Sequence, residues 1–204
     1  ELSHLEQPLA QARGMVDFGL GVIRQREQAS QGEQAAAYRA ALDQAWHSGT
    51  QALGDIANET ALLPLQAGHP LQVHTFLEVL GLDESKAQAI LAKAEADLHH
   101  ARTTKAGPVH LSPHAPYSCS PALLQALFRH AGEAGAPLSY HFLESEEEVA
   151  LYQRGAGDFL RLYSTLGLQW NRPTPTDPVS ELLAVADARA RTLLVHATQL
   201  SAAG

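Results

Sequence analysis

Residues 109 to 148 read VHLSPHAPYSCSPALLQALFRHAGEAGAPLSYHFLESEEE, two apolar runs, each ending in polar residues, around one short helical segment. No other stretch constrains the fold as strongly. Val109 and Leu111, followed by Ser112-Pro113-His114, predict a short buried strand that stops at proline and delivers His114 just past its end. Ser120 and Pro121 supply a cap and a first-turn proline. Leu123, Leu124, Leu127 and Phe128 recur at helical spacing, so a helix is expected there until Gly132 to Pro137 ends it. Leu138 to Leu143 predicts a second strand, with His141 and Glu144 at or just past its C-terminal end. A histidine and a glutamate three residues apart at a strand end are a candidate metal ligand and proton carrier.

Upstream, apolar residues recur at helical spacing from about Val16 to Gln28 and again from Glu33 to Trp46, where Ala37, Tyr38, Ala41, Leu42 and Ala45 mark one face before Ser48-Gly49 ends it. The first dozen residues, with Leu2, Leu5, Pro8 and Leu9, read as a loop leading into a helix. Thr50 to Ile56 predicts a short strand, followed by a brief helix to about Leu65 and a turn at Gly68-His69-Pro70. Leu71 to Val79 predicts the next strand, interrupted at Glu78. Asp83 is placed to cap a long helix with Ala87, Ile90, Leu91, Ala94 and Leu98 on one face, ending near His99-His100. Beyond the central stretch, an acidic helix over Glu146 to Tyr152 ends at Gly155-Ala156-Gly157, and a short helix carries Phe159, Leu160, Tyr163 and Leu166. Three prolines make Asn171 to Pro178 irregular. A helix from Val179 to about Ala186 then leads into the strand Thr192-Leu193-Leu194-Val195, which ends at His196.

Strands near 50, 72, 109, 138 and 193, separated by helical sequence, form an alternating pattern of buried strands and predict an α/β protein with a parallel sheet. A doubly wound sheet and a barrel both satisfy that pattern. No GxGxxG or Walker-type loop follows any strand, which removes the usual argument for a nucleotide at a switch point. The polar residues favour the barrel, because His114, His141, Glu144 and His196 all fall at C-terminal strand ends, where a (β/α) barrel builds its active site.

A length of 204 residues, 45% of them hydrophobic, suits one sizeable core and so one domain or part of one. With 14 Lys+Arg against 22 Asp+Glu the net charge is -8, and no basic run relieves it, which argues against nucleic acid as a partner. No apolar stretch approaches the roughly 18 residues of a membrane span, and the N-terminus ELSHLEQPLA has no signal-peptide pattern, so a soluble chain without a membrane partner is expected. The lone Cys119 precludes an internal disulfide or a CxxC site and fits a reducing, cytoplasmic compartment.

Eleven histidines are many for this length. His99, His100 and His130 lie on helices or at their ends, where solvated or capping roles are expected. His110 lies inside a strand, and His4, His47, His69 and His74 have no chemical company in the sequence. Taken one at a time, His114, His141 and His196 are each explained as satisfied core residues. Three of them at equivalent strand ends point instead to metal-assisted hydrolysis, in which a nearby carboxylate that is not a ligand moves the proton. Glu146, Glu147 and Glu148 are expected to form a solvated helix start favoured by the helix dipole, with Glu144 standing apart from them.

The segments SPHAPYSCSPALL, then SYHFLESEEEVALY with a following GxG, then TLLVHATQLS resemble the consecutive strand-four, strand-five and strand-six signatures of the amidohydrolase superfamily, in its cytosine-deaminase-like branch, over most of residues 109 to 201. ELSHL at the start and FLEVLGL at 76 to 82 echo members that deaminate aminodeoxyfutalosine or related adenosine derivatives. The resemblance implies an incomplete (β/α)8 TIM-type barrel, roughly strands two to six with their helices, residues 1–204 being the central part of one metal-dependent hydrolase barrel domain. It implies that His141 ligates one divalent metal, Zn²⁺ first and Fe²⁺ as the alternative, and that Glu144 takes a proton from metal-bound water and hands it to the substrate. His196 then hydrogen-bonds the attacking hydroxide, or is itself a ligand as in binuclear relatives, and His114 touches the substrate. The implied activity is deamination of a small molecule, an amino-substituted heterocycle such as an adenosine derivative, with hydrolysis of another C–N or a C–Cl bond as the alternative. The family's H-x-H pair after the first barrel strand and its aspartate after the last are not in these 204 residues, and five strands do not close an eight-stranded barrel. The expectation is a central segment of a larger enzyme. A catalytically silent binding or scaffold fragment is the competing reading, since His141 alone does not hold a metal firmly.

Overall fold

The structure, a computed structural model, describes residues 5, 12–104 and 106–200. Readings placed on Leu2, His4, Pro8 and Leu9 lie outside the described residues. Two helices, α1 (Met15–Gln28) and α2 (Gln31–His47), precede β1 (Ala52–Ala57) and β2 (Gln72–Val79). Then α3 (Ala87–Arg102) leads to β3 (Val109–Pro113), and α4 (Pro121–Ala134) to β4 (Pro137–Phe142). Finally α5 (Glu146–Arg154), α6 (Phe159–Leu166) and α7 (Pro178–Val185) lead to β5 (Arg191–His196). The five strands stand where the apolar runs predict them. One detail differs: β2 runs unbroken through Glu78, whose carboxylate accepts from the Asn58 side-chain amide at 3.0 Å, and an acidic residue with an amide partner does not interrupt a strand.

The chain divides into two compact units, 1–78 with 94–111, and 79–93 with 112–204. In the first, α2 is opened by a reciprocal cap, the Glu33 N–H donating to Ser30 Oγ at 3.3 Å and the Ser30 N–H to Glu33 Oε2 at 2.9 Å. The buried face of α2, Tyr38 and Leu42, packs with Leu71 and Val73. β1 and β2 pair in parallel from Ala52↔Gln72 to Ala57↔Leu77, in a sheet ordered β1-β2-β3. At Gly107 only glycine fits, because a Cβ there would overlap the Val73 carbonyl.

In the second unit, α4 is capped by Ser120, whose hydroxyl accepts the Leu123 N–H at 3.3 Å, and it ends at Gly135 in the left-handed conformation. Leu123, Leu124, Leu127 and Phe128 are at most 1% exposed, and burial of each contributes about 1.5–3 kcal/mol. β4 is buried on both faces, through Leu138, Tyr140 and Phe142 on one and Ser139 on the other. It pairs in parallel with β5 from Pro137↔Arg191 to Phe142↔His196. The strands are thus parallel as expected, but they form two ladders and not one continuous sheet. The reason lies at the end of β3: the Ser139 N–H goes to the Ser112 hydroxyl at 3.0 Å, so a side chain takes the place of a backbone acceptor, while just past the strand the His141 N–H reaches the His114 carbonyl at 3.0 Å. β5, expected to be buried, exposes Leu193 and Leu194. It bonds to β4 along one edge, and among the described residues no strand pairs with the other. Cys119 is free and buried, and burial pushes its thiol pKa up. No helix among the described residues is long and apolar enough to cross a membrane.

Candidate active site

His114 follows β3 directly. Its N–H donates to the Val79 carbonyl at 3.1 Å, and its Nδ1 lies 2.7 Å from the hydroxyl of Ser118, in the turn Pro116–Ser118. His141, near the end of β4, has its Nδ1 3.0 Å from the His114 carbonyl oxygen. A carbonyl only accepts, so Nδ1 carries the proton and the lone pair of the neutral ring sits on Nε2. The two ring centroids are 5.2 Å apart, and a ring nitrogen of one lies within 4.8 Å of a ring nitrogen of the other. His196, the last residue of β5, stacks on His141 at 5.5 Å. Three histidines from three strand ends therefore meet, and Glu144 meets them: its Oε2 is 3.0 Å from His196 Nε2.

The backbone around Glu144 is unusual. Among the described residues the non-glycine positions with positive φ are Leu143 (48°), His196 (71°) and Ala197 (53°), all at the ends of β4 and β5. Each such residue costs of order 1–3 kcal/mol and persists only where its surroundings hold it. Here the Leu143 and Glu144 N–H groups donate to Glu148 Oε1 and Oε2 at 3.1 and 2.9 Å. The Leu143 carbonyl accepts from the Gln199 N–H at 3.0 Å, and the Glu144 carbonyl from the Thr198 hydroxyl at 3.0 Å.

Glu148 corrects the sequence reading. Expected to be solvated with its neighbours, it is fully buried, whereas Glu146 is exposed. Burial pushes its pKa up to about 7, against the pull of the Glu144 and Leu143 N–H groups. The sequence did carry a signal, since Glu148 shares a helical face with Leu151 and Tyr152, both buried.

Tyr117 also goes unremarked in the sequence, although it stands inside the SPHAPYS segment. Its hydroxyl donates to Glu144 Oε1 at 2.5 Å, leaving the Glu144 side chain 7% exposed. Its carbonyl accepts from the Tyr163 hydroxyl at 2.7 Å, and its ring lies 4.5 Å from Phe159. Arg172, from the segment read only as irregular, secures the same loop by donating to the Pro116 carbonyl at 2.8 Å and to the Cys119 carbonyl, while its other nitrogen binds the Tyr152 hydroxyl and Glu181. A cavity of about 550 Å³ opens between residues 82–86, Ser120-Pro121 and 167–173, and none of the four candidate residues lines it. In the first unit, His69 does have company, Asp43 at 3.2 Å.

Residues 3–202 match the family model described as the amidohydrolase family. Over 120 residues the chain is 32% identical to the adenosine deaminase of Helicobacter pylori, a stretch covering 57% of this chain and 28% of that protein. Over 125 residues it is 30% identical to the aminodeoxyfutalosine deaminase of Deinococcus radiodurans, 60% of this chain and 30% of that one. Its fold is similar to a crystal structure of Helicobacter pylori aminofutalosine deaminase in complex with methylthio-coformycin, with a TM-score of 0.76, 24% identity, and coverage of 98% of this chain and 49% of the other. The chain thus spans less than a third of the curated relatives it matches and about half of the solved one.

Proposed function

Because the chain belongs to the amidohydrolase family, we propose that the protein containing it is a metal-dependent hydrolase that removes the amino group from a heterocycle of the adenosine-derivative class, a small-molecule substrate. The observation that carries this reading is the Glu144 carboxylate, nearly buried at a strand mouth, with Tyr117 on one oxygen and His196 on the other, beside the His114–His141 pair. The substrate class is drawn from the names of the deaminases the chain is similar to.

The donor chemistry fits a divalent cation. His141 has its Nδ1 proton committed to a carbonyl, which leaves Nε2 as a ligand atom, the usual arrangement of a metal-binding histidine. His141 would hold the ion, with His196 as a second ligand or a hydrogen-bonding neighbour, and imidazole suits both Zn²⁺ and Fe²⁺. Such a cation lowers the pKa of water to roughly 7. The proton work falls to the chain itself: Glu144 takes a proton from the attacking water and delivers it to the departing nitrogen, so one water is consumed and one ammonia released. His196, donating from Nε2, keeps the carboxylate aimed, and His114 faces the substrate.

In this reading residues 1–204 are the central part of one barrel domain, an incomplete (β/α)8 barrel holding roughly strands two to six, and coverage of about half of the solved relative supports it. The enzyme is read as cytoplasmic, and its lack of nucleic-acid partners agrees with the net charge of -8. The test uses the full-length protein, assayed for ammonia release from aminated purine nucleosides before and after chelation and after restoring Zn²⁺ or Fe²⁺. Release that stops on chelation and returns with metal is expected. Unchanged release after complete metal removal, or none from any aminated heterocycle by the metal-loaded protein, would sink the proposal.

A further inference from the structure

We propose that Glu148 is a positioning residue for Glu144, its carboxylate clamping the Leu143–Glu144 turn from the N–H side while Thr198 and Gln199 hold the carbonyl side. The inference rests on the reading of Glu144 as proton carrier and adds the element that aims it.

Two helix starts in the molecule place the glutamate of the third helical position differently. At α2 the cap Ser30 and the third helical residue Glu33 form the ordinary reciprocal box, with the Glu33 carboxylate accepting the N–H of the cap residue itself. At α5 the same spacing recurs. Ser145 is the cap and its hydroxyl accepts the Glu148 N–H at 3.2 Å. Yet the Glu148 carboxylate does not turn back onto Ser145. It reaches one and two residues further, to the N–H groups of Glu144 and Leu143. The helix is already capped by Ser145, so capping alone does not account for a fully buried carboxylate at this position.

What it does account for is the turn. Leu143 sits at φ 48°, where a leucine Cβ crowds the backbone. Two successive N–H groups converging on one anion stabilise such a bend. The carbonyls of the same two residues accept from Gln199 N–H and Thr198 Oγ1, so every backbone polar group of the dipeptide is tied. Were the turn to relax toward extended backbone, the next side chain would swing to another direction. Glu144 would then leave the Tyr117 hydroxyl and His196. A carboxylate accepts at both oxygens, whereas an amide accepts at one and presents a donor at the other, so Glu148→Gln removes one of the two bonds without changing side-chain size.

The experiment compares Glu148→Gln with a control, Leu124→Ala in the core of α4, in the metal-loaded full-length protein. For E148Q the expected result is a fall in kcat of about a hundredfold, the scale of a reacting group displaced by about 1 Å, with KM and metal content close to wild type. L124A, even where it loses as much thermal stability, keeps its kcat within about twofold, as expected for packing remote from the transition state. A native kcat in E148Q overturns the inference, and so does a loss that merely tracks loss of metal. Where E148Q does not fold, Glu148→Asp, which keeps the charge and is one methylene shorter, is read by the same criteria. A crystal structure of the variant decides the matter without turnover. Glu144 swung away from Tyr117 supports the inference, and Glu144 in its native position refutes it, even if the wild type proves to release no ammonia and the deaminase reading fails.

Discussion

Two pairs of a buried tyrosine hydroxyl and a carboxylate, Tyr38–Asp55 and Tyr117–Glu144, do different things. In the first unit, Tyr38 donates to Asp55 at 2.8 Å, and Gln66 bridges Tyr38 and Thr75 at 2.8 and 2.9 Å. Asp55 and Thr75 are register partners inside the β1–β2 ladder. This network lies in the middle of a parallel sheet, its four residues Tyr38, Asp55, Gln66 and Thr75 all buried and none of them left-handed. In the second unit, Tyr117 donates to Glu144 at 2.5 Å past the end of β4, between left-handed residues, and the second partner, His196, is 42% exposed at its side chain. A closed polar network fixes how strands pack. One at a strand mouth, held by a strained turn and open to solvent through one imidazole, suits the proton-carrying role proposed for Glu144.

The widest separation between the two is expected at the carboxylates. Glu144→Gln removes the proposed proton carrier and should lower kcat by about 10²–10⁴-fold, with metal content and melting temperature little changed. Asp55→Asn should leave kcat alone and cost about 1–3 kcal/mol of stability, because one atom of the buried pair loses its match. Single-turnover ammonia release and urea unfolding on both variants measure the two effects. A Glu144→Gln protein with near-native turnover would remove the functional meaning of the strand-mouth pair.

The tyrosines make a finer version of the same contrast. Tyr117→Phe deletes one hydrogen bond to a charged group, worth about 1.5–3 kcal/mol, and should slow turnover about 10–100-fold with a modest change in stability. Tyr38→Phe deletes the donor at Asp55 and the acceptor of the Gln66 amide, and should appear as about 1–3 kcal/mol of lost stability at unchanged kcat. If both substitutions shift the same quantity, the division into a structural pair and a working pair is broken.

How much of this was readable beforehand depends on range. Strand positions, the α4 cap at Ser120 and the delivery of His114 past a proline-stopped strand are local matters, and pattern conveys them. The meeting of His114, His141 and His196 followed from parallel strands ending on one side. Tyr117 and Arg172 stayed hidden because Glu144 lies 27 residues from the tyrosine and the Pro116 carbonyl 56 from the arginine, and nothing local marks a tyrosine that finds a glutamate or an arginine that finds a carbonyl. Glu148 was lost for another reason. In a run of four glutamates within five residues, charge outweighed the helical face that buries only one of them. The split into two ladders turned on Ser112 presenting its hydroxyl to Ser139, a side-chain orientation that periodicity does not express.

A pH dependence separates aiming from stabilising. Glu148 has its pKa raised from 4.5 to about 7 by burial, so the folded state is favoured while this carboxyl is protonated. That advantage is complete below about 4.5 and fades as pH rises through about 7. A shift of this size corresponds to about 3 kcal/mol between the two ends of the window. Glu148→Gln is neutral throughout, so its melting temperature should gain on that of the wild type by several degrees between pH 5 and pH 8. Parallel melting curves across that range would mean that Glu148 does not take up a proton there. A variant that matches or exceeds the wild type in stability at pH 8 while remaining slow in turnover would show that the buried carboxylate is kept for the direction of Glu144, at a cost in stability that the closed Tyr38–Asp55 network has no reason to bear.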